Sequence, residues 1–190
     1  YYDDPFYSAF YDKTEGLLTR SKFRLRTYGH HADNVRTIFL EIKGRHNNVV
    51  FKHRTPIKLG DVSWRGVAGD GLAKTVLDNA EPSQVINQFH YELLRKKLRP
   101  VALIDYERRP YYSKYDRNFR ITFDENLKAS QVRALFPSRD VSPREILPGY
   151  TVLEVKFKHQ MPSWFHRIIQ THELKRVSIS KICSGMEVLG

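Results

Sequence analysis

Apolar and polar residues alternate along several segments of the chain, most clearly in Lys22-Phe23-Arg24-Leu25-Arg26-Thr27-Tyr28. Because successive side chains of a β-strand point to opposite faces, this pattern predicts a strand over residues 20–28 with one cationic and one apolar face. Residues 39–43 and 49–54 repeat the pattern, and Asn47-Asn48 between them predicts a tight hairpin turn.

The rest of the chain adds further strands and helices. Helical spacing of apolar residues predicts an amphipathic helix over residues 84–98, with Ser83 as its N-cap. A short helix over residues 162–172 and a final helix capped by Ser178 or Ser180 follow. Residues 60–80 contain several glycines and are expected to form surface loop with some helix. The remaining predicted elements are strands at residues 1–5, 101–108, 118–124 and 150–158, and a helical turn at residues 6–11.

Composition narrows the class of protein. A chain of 190 residues with 41% hydrophobic residues suffices for one packed domain, and the net charge of +11 indicates a polyanionic partner. That partner could be nucleic acid, a phosphate chain, a nucleotide or an anionic membrane surface. The lone Cys183 excludes an internal disulfide and a cysteine-based metal site, which favours a reducing compartment.

The recurring cationic faces have two interpretations. They are either the solvated side of antiparallel strands, or the lining of a closed barrel whose apolar outer face is covered by helices. The second interpretation predicts an α+β fold in which an antiparallel β-barrel forms a tunnel. Cations so enclosed require a dense polyanion. Glu41, Asp124 and Glu154 share these faces and are suitable oxygen ligands for a divalent cation, although Asp124 also suits the end of a strand.

Eight segments, in this order and at these spacings, resemble the VTC (vacuolar transporter chaperone) polyphosphate polymerase domain of the triphosphate tunnel metalloenzyme group. The resemblance covers almost the whole chain. The segments are YYDDP from Tyr1, KFRLRTYG from Lys22, FLEIK from Phe39, VVFKHR from Val49, YERRPYY from Tyr106, FRITFD from Phe119, TVLEVKF from Thr151 and SISKICSG from Ser178.

The resemblance implies a single domain over residues 1–190, built as an antiparallel tunnel barrel of the CYTH-like type with helices outside. It implies an enzyme that transfers the terminal phosphate of a nucleoside triphosphate, ATP by preference, onto a polyphosphate chain. Mn²⁺ or Mg²⁺ would assist the transfer. Inorganic polyphosphate and the nucleotide would be the partners, with no specific nucleic acid.

The resemblance also implies roles for individual residues. Arg24, Arg26, Lys43, Arg108 and Arg120 would be catalytic. Glu154 would be the metal carboxylate, with Glu41 as a second candidate. Ser180 and Lys181 would bind the phosphate chain at a tunnel end, where a helix N-terminus suits an anion. The other expected phosphate-binding residues are Lys22, Lys52, Arg54, Tyr106 and Lys156.

The chain departs from the family pattern in two ways. The first strand of the family, which carries another basic residue, is absent, so we expect further residues upstream of Tyr1 or a tunnel open along one side. No SPX-type regulatory domain is present. The sequence resembles the shorter bacterial form, expected in the cytoplasm or at the inner face of the membrane, where a membrane protein is a candidate partner.

Three other functions compete with a polymerase. A triphosphatase or nucleotide cyclase would use the same tunnel, but such enzymes carry an E-x-E-x-K strand near their start that is not found in this sequence. A non-catalytic polyphosphate or nucleotide sensor would lack the metal carboxylate, whereas Glu154 is present. A nucleic-acid binder would need exposed aromatic residues on an open basic face, whereas cations at alternate positions of many strands favour an enclosed chain.

Overall fold

A computed structural model describes residues 1–59, 63–137 and 141–190. Within these ranges the chain forms two antiparallel sheets and five α-helices, which confirms the predicted α+β class. The strands are β1 Tyr2–Asp3, β2 Thr19–Thr27, β3 Ile38–His46, β4 Val49–Ile57, β5 Arg99–Pro100, β6 Leu103–Tyr112, β7 Arg120–Ser130, β8 Arg144–Glu145 and β9 Val152–Lys156. The helices are α1 Ser8–Thr14, α2 Gly69–Asn79, α3 Gln84–Lys96, α4 Ser163–Thr171 and α5 Lys181–Leu189.

The first sheet has the strand order β4-β3-β2-β1-β5. Strands β3 and β4 form the predicted hairpin, in which His46 pairs with Val49 across the two-residue turn. Asn47 takes a left-handed conformation there, with φ of 51°, as asparagine tolerates in such turns. The hairpin fixes the register of β4 and so places its cations beside those of β3.

The apolar face of the first sheet packs against α2 and α3. Phe23, Leu40 and Ile42 are buried in one core with Phe89 of α3, and the Phe23 and Phe89 rings meet edge to face at 5.3 Å. Helix α3 begins as predicted, because the Ser83 hydroxyl accepts a hydrogen bond of 3.3 Å from the Ile86 N–H. Because α2 and α3 cover the apolar face, the cationic face of the sheet lies on the side away from these helices.

Residues 60–80 contribute more to the core than their glycines indicated. Residues 60–62 lie outside the described ranges, but α2 buries Leu72, Ala73 and Val76 in the core of the first sheet. The expectation of some helix in this segment is therefore confirmed, but its expected surface location was wrong for the buried face of α2. Its apolar residues recur at helical spacing, and that periodicity outweighs the flanking glycines.

In the second sheet β6 pairs with β7, and β8 and β9 both pair with the opposite edge of β7. The β6–β7 register shifts between Asp105 and Glu107, which pair with Lys128 and Glu125 respectively. The extra residue therefore lies in β7, where Asn126 has a φ of 51°. This β-bulge reverses the alternation of β7.

The bulge lets one face of β7 serve two purposes. Asp124 precedes the bulge and Ala129 follows it, and their partners Arg108 and Ile104 lie on the same face of β6. The polar half of that face stays open. The apolar half is covered by α5, where a Cβ on Gly185 would lie 3.3 Å from the Ala129 Cβ. Helix α5 therefore closes one end of the polar face.

Within the described ranges the two antiparallel sheets share no strand and no closed barrel is found, so closure into a barrel stays a prediction. Residues 101–102 carry the chain from β5 into β6. Beyond Pro100 the contact with the N-terminal strand continues, because the Val101 N–H donates to the Tyr1 carbonyl at 2.9 Å and the Tyr1 amino group donates to the Ala102 carbonyl at 2.9 Å. Strand β2 pairs with β1 only at Phe23. In the described residues β4 and β9 remain edge strands.

Helix α4 lies against the opposite side of the second sheet from its polar face, where Phe119 meets Phe165 at 5.2 Å. The expectation of helices outside the strands is thus confirmed for α2, α3 and α4. Among the described residues, no helix combines the length and the hydrophobicity needed to cross a bilayer.

Candidate functional site

Three lysines lie side by side across the first sheet. Lys22 pairs in register with Lys43, and Lys43 with Lys52. Like charges directly opposite each other destabilise a sheet. Burial lowers the pKa of Lys22 and of Lys43, and the charge of Arg24 lowers the pKa of Lys43 further. This row is therefore a place where an anion would relieve repulsion.

Glu41 is the carboxylate at the centre of the same sheet and is fully buried. Arg24 donates from Nε at 2.8 Å to Glu41 Oε2, and Lys52 Nζ forms an ion pair with Oε1 at 2.9 Å. Burial raises the pKa of Glu41, but the neighbouring Arg24 and Lys52 outweigh it and the net direction is downward. Arg24 also donates to the Tyr1 hydroxyl at 2.8 Å. Glu41 thus holds two cations in place.

Asp124 has the corresponding role in the second sheet and is also fully buried. Arg108 donates to both of its oxygens, at 2.6 and 2.7 Å, and Lys181 Nζ lies 2.7 Å from Oδ2. Burial raises the pKa of Asp124, but hydrogen bonds from Arg108 and Lys181 lower it on balance. This bidentate geometry fixes the guanidinium plane.

Glu154 accepts from the same two cations but remains partly open to solvent. Its oxygens receive Arg108 Nη2 at 3.1 Å and Lys181 Nζ at 2.9 Å, and 32% of its side chain is exposed. Burial raises the pKa of Glu154, and the two cations lower it by more. Of the site carboxylates, Glu154 is therefore the one that a ligand can reach.

Arg120 and Lys156 pair in register on β7 and β9, beyond the Asp124 cluster. Arg120 donates to the Tyr112 hydroxyl at 3.3 Å. Burial and then the charge of Arg120 lower the pKa of Lys156. Like Lys22 and Lys43, these neighbouring cations lack a carboxylate within 4.0 Å among the described residues.

The cationic faces of the two sheets lie opposite each other. Besides burial, the charge of Glu154 raises the pKa of Lys43 and the charge of Lys156 lowers it. The charge of Lys52 in turn lowers the pKa of Lys156, so β9 lies close enough to β3 and β4 for their charges to interact. A cavity of about 1000 Å³ lies between β2 and β6 at one end of these faces, lined by Arg24, Arg26 and Arg108 together with uncharged residues such as Leu25 and Phe136. We call the space between the two faces the cationic cleft. It brings together residues that are more than 100 positions apart in the chain.

Aromatic rings orient several of the cleft cations. The Arg26 guanidinium lies 4.8 Å from the Tyr28 ring centre, and Arg54 lies 4.6 Å from that of Phe39. Tyr106 lies beneath both Arg108, at 5.3 Å, and Lys181, at 5.1 Å. Stacking of this kind positions a cation without neutralising its charge.

The expected site residues thus fall into two groups. The paired cations are held by buried or half-buried carboxylates; they are Arg24, Lys52, Arg108 and Lys181. The unpaired cations have no carboxylate within 4.0 Å in the described ranges; they are Lys22, Arg26, Lys43, Arg54, Arg120 and Lys156. Ser180 directly precedes α5, but its side chain makes no capping hydrogen bond. The binding and catalytic roles of all these residues stay predictions.

Two residues have a larger structural part than the sequence indicated. Asp124 suited a strand end, but it anchors Arg108 and Lys181; its position at the strand spacing of Arg120 was the available signal. Tyr1 supplies the hydroxyl that Arg24 contacts. No sequence pattern singled out Tyr1, because its contact depends on how β1 lies beside β2.

The carboxylates differ in how well they suit a divalent cation. The described residues contain no group of three histidine, cysteine, aspartate or glutamate side chains that could hold a metal. Glu41 is sealed between Arg24 and Lys52, which does not favour the predicted metal role. Glu154 fits better, because Mg²⁺ commonly binds through one or two carboxylates plus substrate phosphates.

Comparison with characterised proteins found no significant sequence match. The family model for the VTC domain, however, matches residues 1–190. That match covers the strands and helices from which the cationic cleft is built. The chain therefore belongs to the VTC domain family.

Proposed function

We propose that the protein is a polyphosphate polymerase, which transfers the terminal phosphate of a nucleoside triphosphate onto a polyphosphate chain in the cationic cleft. Membership of the VTC domain family supports this function. The observation that carries the proposal is the set of unpaired cations on two facing sheets. A linear phosphate chain can contact both sheets at once, whereas a single small anion would neutralise only part of the set.

The paired cations and the unpaired cations would have different tasks. Glu41 and Asp124 fix Arg24 and Arg108, so these guanidinium groups are oriented before substrate arrives. The unpaired Lys43, Arg120 and Lys156 are not neutralised by a carboxylate in the described residues and would be available to the substrate. Catalysis of phosphoryl transfer depends mainly on positioning and on stabilising charge at the phosphate oxygens. The cleft provides both.

In the proposed reaction, a terminal oxygen of the polyphosphate chain attacks the γ-phosphorus of the nucleotide. The bond to the β,γ-bridging oxygen breaks, and the nucleoside diphosphate leaves with that electron pair. The lysines and arginines of the cleft would hold the attacking and leaving phosphates in line and offset their mutual repulsion. No side chain has to form a covalent intermediate.

Mn²⁺ or Mg²⁺ is part of the proposal, with Glu154 as the protein ligand. Glu154 would hold the cation, which would supply positive charge to the reacting phosphates. Arg108 and Lys181 orient the partly exposed Glu154 carboxylate, at 3.1 and 2.9 Å, on the face that lines the cleft. ATP as the donor nucleotide is likewise proposed from the family.

A polyphosphate sensor is the second candidate function. The pairing of Glu41 and Asp124 with cations favours it, because these carboxylates then serve to orient the cleft and not to bind metal. A sensor would bind the same chain without transferring phosphate. Binding data alone therefore do not separate the two functions, and product analysis is required.

The test is incubation of the purified protein with ATP, Mn²⁺ and a short polyphosphate primer, followed by gel analysis of chain length. Lys43→Gln and Glu154→Gln are the informative variants, and Lys74→Gln on the outer helix α2 is a control for loss of charge. We expect lengthening with wild type and control, and a loss of about tenfold or more with either cleft variant, as for a lost contact to a charged group.

Other products would contradict the polymerase. Release of free phosphate without longer chains would identify a triphosphatase. Tight polyphosphate binding with neither product, over the same range of metal concentrations, would identify a sensor. Lys43 is preferred to Arg24 for substitution, because removal of Arg24 would leave buried Glu41 without its main partner and so confuse folding with activity.

A further inference from the structure

The cationic face of the first sheet continues beyond the proposed reaction site. Arg20 of β2 pairs in register with Arg45 of β3. Arg20 lies two positions before Lys22, and Arg45 two positions after Lys43. Both arginines therefore lie on the face that carries the lysine row.

Neither arginine is neutralised. Among the described residues no carboxylate lies within 4.0 Å of Arg20 or Arg45, whereas the exposed Arg65 and Arg95 each pair with an acidic residue. Arg20 donates to the Leu17 carbonyl, and Arg45 donates to the Asn47 carbonyl and the Asn48 side chain. A guanidinium has five N–H donors, so each keeps donors for an anion.

A third cation extends the same end of the face. After burial, the charges of Lys13 on α1 and of Arg20 lower the pKa of Lys22. The Lys13 ammonium lies 3.4 Å from the Ser178 hydroxyl. Basic groups from α1, β2 and β3 thus continue the row outward. Two arginines directly opposite each other are costly in a sheet, so structural stability alone does not account for them.

The length of this face exceeds what one nucleotide can occupy. Arg26 lies six positions after Arg20, which corresponds to about 20 Å along a strand. The terminal phosphorus atoms of a triphosphate are separated by only four bonds. A triphosphate is therefore too short to contact Arg20 and Arg26 at once, but a longer chain would reach both ends of this face.

We propose that Arg20 and Arg45, with Lys13 beside them, form a distal subsite that holds the polyphosphate chain outside the reaction site. This inference rests on the proposed function and adds a path for the chain. The subsite would bind long polyphosphate and leave the affinity for a triphosphate unchanged. It would also keep a growing chain attached between successive transfers.

The exposed Leu17, Leu18, Val49 and Val50 lie at the same end, so an anionic lipid surface is the competing ligand. Two observations favour the phosphate chain. The arginines lie on the cleft face in register with the lysine row, and the residues between them and the row, Ser21 and Gly44, are uncharged. A lipid surface would need no connection to the cleft.

The experiment compares the affinities of wild type and the double variant Arg20→Gln/Arg45→Gln for tripolyphosphate and for long-chain polyphosphate. Lys74→Gln/Lys97→Gln removes the same charge from α2 and the end of α3 and is the control. Arg20→Lys/Arg45→Lys, which keeps the charge, is the rescue variant. We expect the Gln pair to bind long chains at least about tenfold more weakly and tripolyphosphate as wild type does, with the control unchanged and the rescue variant largely restored.

Salt dependence provides a second readout. With single-stranded nucleic acid as a guide, the slope of log Kd against log salt falls by about 0.7 for each lost contact with a polyanion. The Gln pair should therefore lower the slope for long chains by about 1.4 and leave the slope for tripolyphosphate unchanged.

The remaining outcomes would overturn the inference in distinguishable ways. Unchanged affinity of the Gln pair for long chains would refute the distal subsite and leave the proposed function intact. An equal loss of affinity for long chains and for tripolyphosphate would also refute it, because it would place the arginines within the cleft. Loss of binding to vesicles of anionic phospholipid, with polyphosphate binding unaffected, would identify a lipid surface. If wild type binds neither phosphate ligand, the proposed function itself fails.

Discussion

Substitution of Asp124 by Asn tests whether the cleft depends on its buried carboxylates. Asp124 makes two contacts with Arg108, of 2.6 and 2.7 Å, and one of 2.7 Å with Lys181, and its side chain is fully buried. Removal of one partner from a buried ion pair typically costs about 3–5 kcal/mol. Arg108 and Lys181 are partly exposed and still contact Glu154, so we expect the lower end, about 3 kcal/mol.

Urea denaturation measures this free energy of unfolding. For a chain of this size, about 3 kcal/mol corresponds to a fall in Tm of roughly 6–12 °C. Glu125→Gln is the matched control, because Glu125 is the next residue of β7, points to the opposite face and pairs with the exposed Arg109. A surface pair contributes about 0–1 kcal/mol. A loss from Asp124→Asn no larger than that from the control would refute the anchoring role.

Two further predictions concern stability. The pKa values of Glu41, Asp124 and Glu154 are lowered in the folded protein. Their contribution to the free energy of unfolding is therefore complete above the unfolded pKa values of about 4 and is lost as the pH falls through the folded values. The urea concentration at the unfolding midpoint should decrease as the pH is lowered below about 4, and less steeply for Asp124→Asn. Gly185→Ala should cost about 1–3 kcal/mol, since the added Cβ would lie 3.3 Å from the Ala129 Cβ and closer still to Ile104; an unchanged urea midpoint would contradict the tight packing of α5.

Local patterns predicted much of the first sheet. The alternation of Lys22 to Tyr28 gave the correct faces of β2, because side-chain direction in a strand depends only on position. The Asn47-Asn48 turn and the Ser83 cap were also correct, since both depend on short-range chemistry of the side chain and backbone. These features need no knowledge of distant residues.

The second sheet was harder to predict because its faces depend on a single backbone residue. The left-handed conformation of Asn126 inserts a bulge that puts Asp124 and Ala129 on one face. Strict alternation places these two residues on opposite faces. The anchoring role of Asp124 depends on this geometry and on Lys181, which is 57 positions away.

Closure of the barrel was predicted from the family resemblance and from the need to cover two faces of each strand. Charge patterning shows that two cationic faces must avoid each other or share an anion, but it does not show which backbone edges pair. That depends on contacts between distant parts of the chain, as with residues 101–102, which hydrogen-bond to Tyr1 and lead from β5 into β6. The cleft itself, in contrast, follows from the alternation of charge.

A double-mutant cycle on Lys43 and Lys156 tests the central claim, that one phosphate chain is held by both sheets. The cycle measures the affinity for tripolyphosphate of wild type, Lys43→Gln, Lys156→Gln and the double variant by calorimetry, with Lys74→Gln as the control. We predict a loss of about tenfold for each single variant and a coupling of at least about 0.5 kcal/mol, because both lysines would contact the same anion. Additive losses, or no loss for one of the two lysines, would contradict a shared phosphate chain between the sheets.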